Sequence, residues 1–311
     1  MKIAIYKPFK ETFFHDDTKD NAAWSYEVVN CARILVEHGG HEVYILSETD
    51  LMDGIIPGIF RGDVEDTYDR TIIWSGTFNL DPLGDSVIKK LRARTDRLDF
   101  ILTDFALLPE DHALFEEFDN IYTMASRPIP GIGGVYGGLA ELRAYHVEFR
   151  ETIPEVISRK RTEFYFGGTE RKRLADFLEY VWRPGHVITT KSAFLGIENR
   201  VDRDEYFRLL DDAKYSICIA DEQCNDNYFM SPRPYEYFAH DIICFTDMKF
   251  DPDFKLIPQD SWLRVSNYKE MREKMWELND SPEKHEEMLA WQRSQLTPDK
   301  VDGSFVYDRL K

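Results

Sequence analysis

Two aspartates, Asp104 and Asp17, are the candidate catalytic residues of the first half of the chain. Asp104 follows the apolar run 100–102, so we expect its carboxylate at the end of a buried strand, partly removed from water. A carboxylate in that position can act as a general base toward an acceptor hydroxyl. Asp17 belongs to the long polar loop 7–21 after the first predicted strand and is the second candidate base. The alternative for both residues is an aspartate that caps a turn or lies in a solvated loop.

The second half of the chain contains a glycine-led turn with basic residues beside it. Gly167 and Gly168 end a predicted strand. The first turn of the helix predicted to follow is basic, with Arg171, Lys172 and Arg173. Glycines let a backbone approach a phosphate closely, and arginines at a helix N-terminus stabilise its charge. Because cations are unfavourable at a helix N-terminus unless an anion binds there, the pattern indicates a phosphate site, with a solvated charge cluster as the alternative.

A third group of candidates lies in residues 231–236. Ser231 can cap a helix whose first turn tolerates proline. Glu236 falls in the second turn, where a carboxylate can accept hydrogen bonds from both hydroxyls of a ribose, as acidic residues do in dinucleotide sites. Arg233 and Tyr235 are assigned to the same nucleotide site. The alternative is that Glu236 only favours the helix by stabilising its dipole.

The first strand-to-helix loop and the cysteines exclude other kinds of chemistry. Loop 7–21 lacks the G-x-G-x-x-G pattern that lets a backbone approach a pyrophosphate. This argues against a nicotinamide cofactor, and therefore against a nucleotide-sugar epimerase or dehydrogenase. No C-x-x-C pair occurs, so we expect reduced thiols rather than disulfides or a zinc knuckle. The four cysteines are Cys31, Cys218, Cys224 and Cys244.

Strands that alternate with helices must position these candidates. Residues 2–6 are an apolar strand, and residues 22–37 have a helical apolar period that Gly39 and Gly40 end. The alternation predicts an α/β fold with parallel sheets covered on both faces. Further predicted strands are 41–46, 71–74, 100–103, 121–125, 164–166, 187–190, 215–220 and 242–246, and predicted helices include 86–94, 110–118, 170–182 and 204–213.

The Pro/Gly-rich stretch 127–138 interrupts this alternation and predicts a connection between two domains. We therefore expect two Rossmann-like domains, residues 1–150 for the acceptor and residues 151–311 for the nucleotide, with their sheets facing a central cleft. Ligands of such sheets bind beyond the carboxyl ends of the strands, where the candidate residues lie.

The charge of the chain limits its partners. The 311 residues include 39 Lys+Arg and 57 Asp+Glu, a net charge of −18, so DNA could be bound only through local basic clusters. Three such clusters are 89–97, 159–161 and 171–173, with solvated helix faces as the alternative. No apolar run approaches the roughly 20 residues of a membrane-spanning helix. Since the chain opens into a strand without a signal sequence, we expect a cytoplasmic protein that does not bind membranes.

Several stretches resemble glycosyltransferases of the GT-B type. They are residues 2–6, EHGGHEV at 37–43 and, more specifically, DEYFRLLDDAKYSICI at 204–219, which looks like that family's helix and strand before the donor site. The resemblance covers most of the chain and implies two Rossmann-like domains with a sugar nucleotide in the cleft. Residues 231–243 look like the helix whose glutamate holds the nucleotide ribose, which implies that role for Glu236.

The resemblance also implies a phosphate site at Gly167 and Gly168 with Arg171 or Arg173. Compact GT-B enzymes of this kind are similar to those with which bacteriophages glycosylate hydroxymethylated pyrimidines in DNA. The implied activity is transfer of a sugar from a UDP-linked donor to such an acceptor. A glycan or small-molecule acceptor is one alternative, and a non-catalytic two-domain protein that binds a small ligand is another.

No metal is expected to be necessary for this reaction, because arginines and a helix N-terminus can stabilise the departing diphosphate. Asp251 and Asp253, on either side of Pro252, could be taken for a D-x-D metal motif. The proline between them favours a turn instead.

Overall fold

The computed structural model of the chain describes residues 1–7, 22–46, 56–75, 84–103, 113–169, 174–192, 197–199, 201–219, 226, 228–251, 253 and 255–311. Contacts divide the chain into two compact units. The first unit comprises Met1–Tyr145, Asn227–Met230 and Asp302–Lys311, and the second comprises His146–Asp226 and Ser231–Val301. Each unit has its own sheet of mainly parallel strands, which confirms the predicted α/β class.

The sheet of the first unit has seven parallel strands in the order β3-β2-β1-β4-β5-β6-β7. The strands are β1 Lys2–Tyr6, β2 Glu42–Leu46, β3 Ile59–Arg61, β4 Tyr68–Ser75, β5 Thr95–Leu102, β6 Asn120–Thr123 and β7 Val135–Tyr136. The helices are α1 Ala22–Gly39 and α2 Gly84–Arg92, with short 3₁₀ helices at Ala113–Glu117 and Ala140–Arg143.

Both faces of this sheet are covered by helices, as is usual for parallel sheets. Since successive side chains of a strand point to opposite faces, a strand such as β1 buries apolar residues on both. On one face Ile3 and Ile5 of β1 join an apolar cluster with Leu35 of α1. On the other face Ala4 belongs to a second cluster with Leu91 of α2. The continuous apolar run of β1 is therefore explained by burial on two sides.

The sheet of the second unit has the order β10-β9-β8-β11-β12-β13, and only β10 is antiparallel among its described strands. The strands are β8 Thr162–Thr169, β9 Val187–Ser192, β10 Ile197–Glu198, β11 Ala213–Cys218, β12 Ile243–Asp247 and β13 Arg264–Val265. The helices are α3 Ile153–Arg159, α4 Leu174–Asp176, α5 Arg203–Asp212, α6 Arg233–Ala239, α7 Tyr268–Asp280, α8 Pro282–Ser294 and α9 Pro298–Val301. One turn of π-helix, Phe177–Val181, continues α4.

The strand order creates a switch point in each sheet. The chain leaves β8 to add β9 on one side and later returns to add β11 on the other side. In the first unit β1 has the same position between β2 and β4. Ligands of open α/β sheets bind at such points, outside the carboxyl ends of the strands. In the second unit that edge includes the end of β8, where Gly167 and Gly168 lie.

The end of the chain belongs to the first unit. Helix α10, Ser304–Leu310, buries Val306 and Leu310 in the cluster that contains Ile34 of α1. The unit boundary lies after Tyr145, whereas the sequence placed a single division at residue 150. A division made from the sequence assigns contiguous segments to each domain. The apolar residues of α10 predict that the helix is buried but do not indicate which of the two cores it joins.

Of the helices in the described residues, none combines the length and the apolar character needed to cross a membrane.

Candidate functional site

The backbone of β8 opens toward β11 at its carboxyl end. Its described pairing with β11 ends at Phe164, whereas its pairing with β9 continues to Thr169. Beyond Phe164 the Ser216 hydroxyl donates to the Tyr165 carbonyl oxygen at 2.6 Å. The carbonyl oxygen of Gly167 then accepts a hydrogen bond from the guanidinium of Arg233. The side chain of Arg233, from helix α6, thus reaches the switch point at Gly167.

Other side chains approach the backbone closely at these two glycines, so a larger residue there would have to displace them. A Cβ on Gly168 would lie 2.7 Å from Nη1 and 2.9 Å from Nη2 of Arg233. A Cβ on Gly167 would lie 2.8 Å from the ring of Tyr206. The sequence explained these glycines by approach to a phosphate, and the structure adds that they admit a cation and an aromatic ring of the protein itself.

Arg233 begins the short helix α6 and is held on three sides. Its backbone N–H donates to the Ser231 hydroxyl at 3.3 Å, but the N-cap position is Pro232, one residue after the Ser231 that the sequence predicted as the cap. Its guanidinium lies 5.1 Å from the ring centre of Phe166. Burial lowers the pKa of Arg233, but the nearby Tyr237 and Tyr206 phenols and the Glu236 carboxylate raise it, and the net direction is upward. The side chain is therefore a permanent cation at the glycine turn.

Glu236 lies one turn further along α6 and is only 7% exposed. Its Oε2 accepts a hydrogen bond of 2.7 Å from the hydroxyl of Tyr206, a residue of α5. Burial and the adjacent Glu236 charge raise the pKa of Tyr206 well above its ordinary value, so the phenol keeps its proton and acts as donor. The hydrogen bond thereby fixes the carboxylate of Glu236, which lies three residues after Arg233 on α6.

Tyr206 is the residue that the sequence analysis did not identify as part of a site. The Asp202 carboxylate accepts from the Glu205 N–H at 2.8 Å and starts α5, which places Tyr206 at the end of the first turn. An acidic cap followed by an aromatic residue four positions later is a local signal for that placement. The partner, Glu236, lies 30 residues away, and no local pattern indicates it.

Tyr235 lies apart from this group. Its ring packs on Phe238 with 6.3 Å between centres, and Lys300 Nζ lies 5.2 Å from the ring centre. The side chain is 2% exposed. Of the nucleotide-site residues that the structure describes, it brings together Gly167, Gly168, Arg233 and Glu236, and it places Tyr235 in the packing of α6.

Four predicted site residues lie outside the described residues: Asp17, Asp104, Arg171 and Arg173. Their assignment stays a prediction. The described strand nearest to Asp104 in sequence is β5, which ends at Leu102 between β4 and β6.

The basic clusters are largely matched by carboxylates. In the first cluster Lys90 and Arg94 form ion pairs with Glu65. Arg92 forms an ion pair with Asp119. Arg97 pairs with Asp99 at 2.9 Å.

The second cluster is similarly occupied. Arg159 pairs with Glu151 at 2.7 Å, and buried Lys160 donates to the backbone carbonyls of Asp211 and His240. These pairings weaken the case for either cluster as a contact for a polyanion.

Asp251 has a structural role in a turn. Its carboxylate accepts from the backbone N–H groups of Leu256 at 2.8 Å and Ile257 at 2.9 Å, and its oxygen lies 3.6 Å from Arg264. Burial raises the pKa of Asp251, and these backbone donors oppose the rise. In the part of the chain that the structure describes, no three His, Cys, Asp or Glu side chains form a group that could hold a metal ion.

The fold is similar to that of solved glucosyltransferase structures. The DNA-modifying enzyme β-glucosyltransferase, determined in the presence and absence of uridine diphosphoglucose, is 20% identical with a TM-score of 0.71, covering 100% of this chain and 98% of that chain. T4 phage BGT in complex with UDP and Mn²⁺ is 18% identical with a TM-score of 0.69, covering 99% and 97%. An alpha-glucosyltransferase in complex with UDP and a 13-mer DNA containing a central A:G mismatch is 12% identical with a TM-score of 0.60, covering 100% and 98%.

No protein-family model and no curated protein matches the chain. The likeness to these structures extends over essentially the full length of both chains. The chain therefore has the GT-B fold that its sequence resemblance predicted.

Proposed function

We propose that the protein is a glycosyltransferase that moves the sugar of a UDP-sugar onto a hydroxyl group, with hydroxymethylated pyrimidines of phage DNA as the acceptor class. One observation carries the proposal: the guanidinium of Arg233 donates to the Gly167 carbonyl, and Tyr206 lies against Gly167 while its hydroxyl donates to Glu236. The comparisons support the choice of substrates. Similar structures contain UDP or uridine diphosphoglucose, one of these proteins is DNA-modifying, and another is in complex with DNA.

In this proposal the second unit holds the donor. The cation of Arg233 beside the glycine turn is suited to the diphosphate, and the predicted contacts Arg171 and Arg173 add to it. The Glu236 carboxylate accepts hydrogen bonds from the ribose hydroxyls. Cation and carboxylate on one helix thus match the two chemically different parts of a nucleoside diphosphate.

The chemical step requires a base for the acceptor hydroxyl, and we assign Asp104 as the first candidate and Asp17 as the second. As the acceptor oxygen forms its bond to the anomeric carbon, the base takes the hydroxyl proton. The bond between that carbon and the diphosphate oxygen breaks, and UDP leaves with the electron pair. Arginine side chains at the diphosphate stabilise the charge that develops on it.

We also propose that the transfer does not depend on a divalent cation, although one similar structure contains Mn²⁺ with UDP. Asp251 of the D-x-D stretch is bound within its own turn, where its carboxylate accepts from the Leu256 N–H. Arg233 supplies fixed positive charge at the glycine turn, which is the electrostatic role that a metal would otherwise have.

The decisive experiment incubates the protein with UDP-glucose and duplex DNA that carries either 5-hydroxymethylcytosine or unmodified cytosine. Mass spectrometry of the digested nucleosides is the readout. We expect a glycosylated nucleoside only from the hydroxymethylated duplex, and we expect Glu236→Gln to weaken UDP binding by roughly tenfold, since hydrogen bonds to charged groups contribute about 1.5–3 kcal/mol. Glu277→Gln, at an exposed ion pair with Lys284, is the matched control and should bind UDP like the wild type.

The outcomes separate the candidate functions. Release of UDP without a DNA product would replace DNA by a glycan or small-molecule acceptor. Binding of UDP-glucose with neither transfer nor hydrolysis would favour the non-catalytic ligand-binding protein. Absence of UDP binding by calorimetry would reject the proposal.

A further inference from the structure

Tyr206 contacts both halves of the proposed donor site. Its ring lies where a Cβ on Gly167 would be only 2.8 Å away, and its hydroxyl donates to Glu236 Oε2 at 2.7 Å. The ring also packs near Tyr165, with 6.2 Å between centres and a tilt of 62°. The hydroxyl of Tyr165 is hydrogen-bonded to Thr189 at 2.6 Å.

We propose that Tyr206 is a positioning residue that fixes the orientation of the Glu236 carboxylate and thereby sets the preference of the site for ribose over 2′-deoxyribose. This inference rests on the proposed function, in which Glu236 accepts the ribose hydroxyls. Neither the sequence resemblance nor the comparisons assign a role to Tyr206.

The physical reason lies in the geometry of two simultaneous hydrogen bonds. A carboxylate has acceptor sites for about four hydrogen bonds, and the hydroxyl of Tyr206 takes one of those of Glu236. Both ribose hydroxyls are accepted together only if the plane of the carboxylate is held in one orientation. 2′-Deoxyribose offers only its 3′-hydroxyl, and a carboxylate that is free to rotate can still accept a hydrogen bond from that single donor. Fixing Glu236 should therefore favour ribose selectively.

The protonation state of Tyr206 supports this role. Burial, and next the charge of Glu236, raise the pKa of the phenol, so the hydroxyl remains a donor over the ordinary pH range. The hydrogen bond also connects α5 to α6, two helices that flank the switch point. The orientation of the Glu236 side chain is therefore set by two helices, the one that carries it and the one that carries Tyr206.

The test compares the affinities of Tyr206→Phe and the wild type for UDP and for 2′-deoxy-UDP by calorimetry. The phenylalanine keeps the ring against Gly167 and removes only the donor. We expect the preference for UDP to fall by roughly fivefold while the affinity for 2′-deoxy-UDP stays within about twofold, as one lost hydrogen bond predicts. In turnover, KM for the UDP-sugar should rise and kcat should change little. Tyr215→Phe is the control, because it removes a hydroxyl bonded to Asn279 at 2.9 Å in the same unit.

A double-mutant cycle distinguishes positioning from a structural role. If Tyr206 acts through Glu236, Tyr206→Phe should have no further effect on the preference in a Glu236→Gln background. Additive effects, an unchanged preference, or an equal loss of affinity for both nucleotides would each overturn the inference. If Glu236→Gln itself leaves UDP affinity unchanged, the ribose role in the proposed function fails as well; if only Tyr206→Phe is silent, this inference alone fails.

Discussion

Asp99 of the first unit accepts hydrogen bonds from Arg70 at 2.6 Å, from Arg97 at 3.1 Å and from Asn120 at 2.9 Å, whereas Glu236 of the second unit accepts from the neutral hydroxyl of Tyr206. Both carboxylates are buried, Asp99 completely. In the first unit the charge of the carboxylate is matched by guanidinium groups. In the second unit the carboxylate of Glu236 is hydrogen-bonded to the phenol of Tyr206. The cation of Arg233 is hydrogen-bonded to the backbone carbonyl of Gly167.

This difference separates a structural charge from a candidate functional one. A buried ion pair compensates itself and stabilises the native state only as long as both partners are present. A carboxylate that accepts a hydrogen bond from a phenol keeps its negative charge and can also accept hydrogen bonds from a complementary ligand. The four predictions below test this distinction, from the largest expected effect to the smallest.

Removing Asp99 should give the largest loss of stability. Asp99→Ala leaves Arg70, only 3% exposed, as an uncompensated buried cation, which costs about 3–5 kcal/mol. Urea denaturation followed by tryptophan fluorescence measures the change. Asp308→Ala, at an exposed pair with Lys311, is the control and should cost under about 1 kcal/mol. A loss from Asp99→Ala as small as that of the control would contradict the structural role of the pair.

The second unit should lose stability in acid through His285. Burial lowers the pKa of His285 to about 4, from 6.5, and the nearby charges of Lys214 and Lys160 act in the same direction. Because the unfolded chain takes up the proton first, the contribution of neutral His285 is complete above pH 6.5 and is lost as the pH falls toward 4.

We therefore expect the wild type to lose roughly 2 kcal/mol between pH 7.5 and pH 5 from this group, and His285→Gln to remove that part of the slope. Urea midpoints at both pH values measure it. In the first unit burial also lowers the pKa of the half-buried His41, so His41→Gln is the comparison variant and should remove a smaller part of the slope than His285→Gln. Equal slopes for the wild type and His285→Gln would refute the prediction.

Gly168→Ala should reduce donor affinity as well as stability, because the φ of 158° at Gly168 also disfavours alanine. The added methyl group would lie 2.7 Å from Arg233 Nη1 and must displace the guanidinium, so we expect UDP to bind roughly tenfold more weakly, about 1.4 kcal/mol. Gly185→Ala is the control within the same unit, since its Cβ meets open space while its φ of 86° disfavours alanine. That variant should lose about 1 kcal/mol of stability and bind UDP normally. Normal UDP binding by Gly168→Ala would show that Arg233 does not serve the donor.

Removal of divalent cations should have the smallest effect. If fixed charge such as Arg233 replaces a metal, the transfer rate in EDTA should stay within about twofold of the rate with Mn²⁺. The rate of UDP release in both buffers is the measurement. A loss of activity in EDTA that Mn²⁺ restores would show that residues outside the described part, or the substrate itself, bring a metal to the site.

Much of the fold could be predicted from the sequence because local patterns depend on burial. The apolar run of β1 and the helical period of α1 reflect the two-sided burial of a parallel sheet. The predicted helix 170–182 was less well determined: its described part is a short α-helix that continues as a π-helical turn, Phe177–Val181. The helical character was predicted correctly for this part, but the π-helical turn was not, because the register of helical hydrogen bonds depends on packing as well as on periodicity.

The sequence alone determined the α/β class, the glycine pair near the end of a strand and the acidic residue on the helix after Ser231. These features are written in neighbouring residues, since propensity, capping and apolar period act over a few positions. Only the tertiary structure decided that Arg233 meets Gly167 across 66 positions, that Tyr206 meets Glu236 across 30, and that Val306 packs in the first unit. Such contacts follow from strand order and from which helix covers which face, and these are properties of the folded chain that no local pattern encodes.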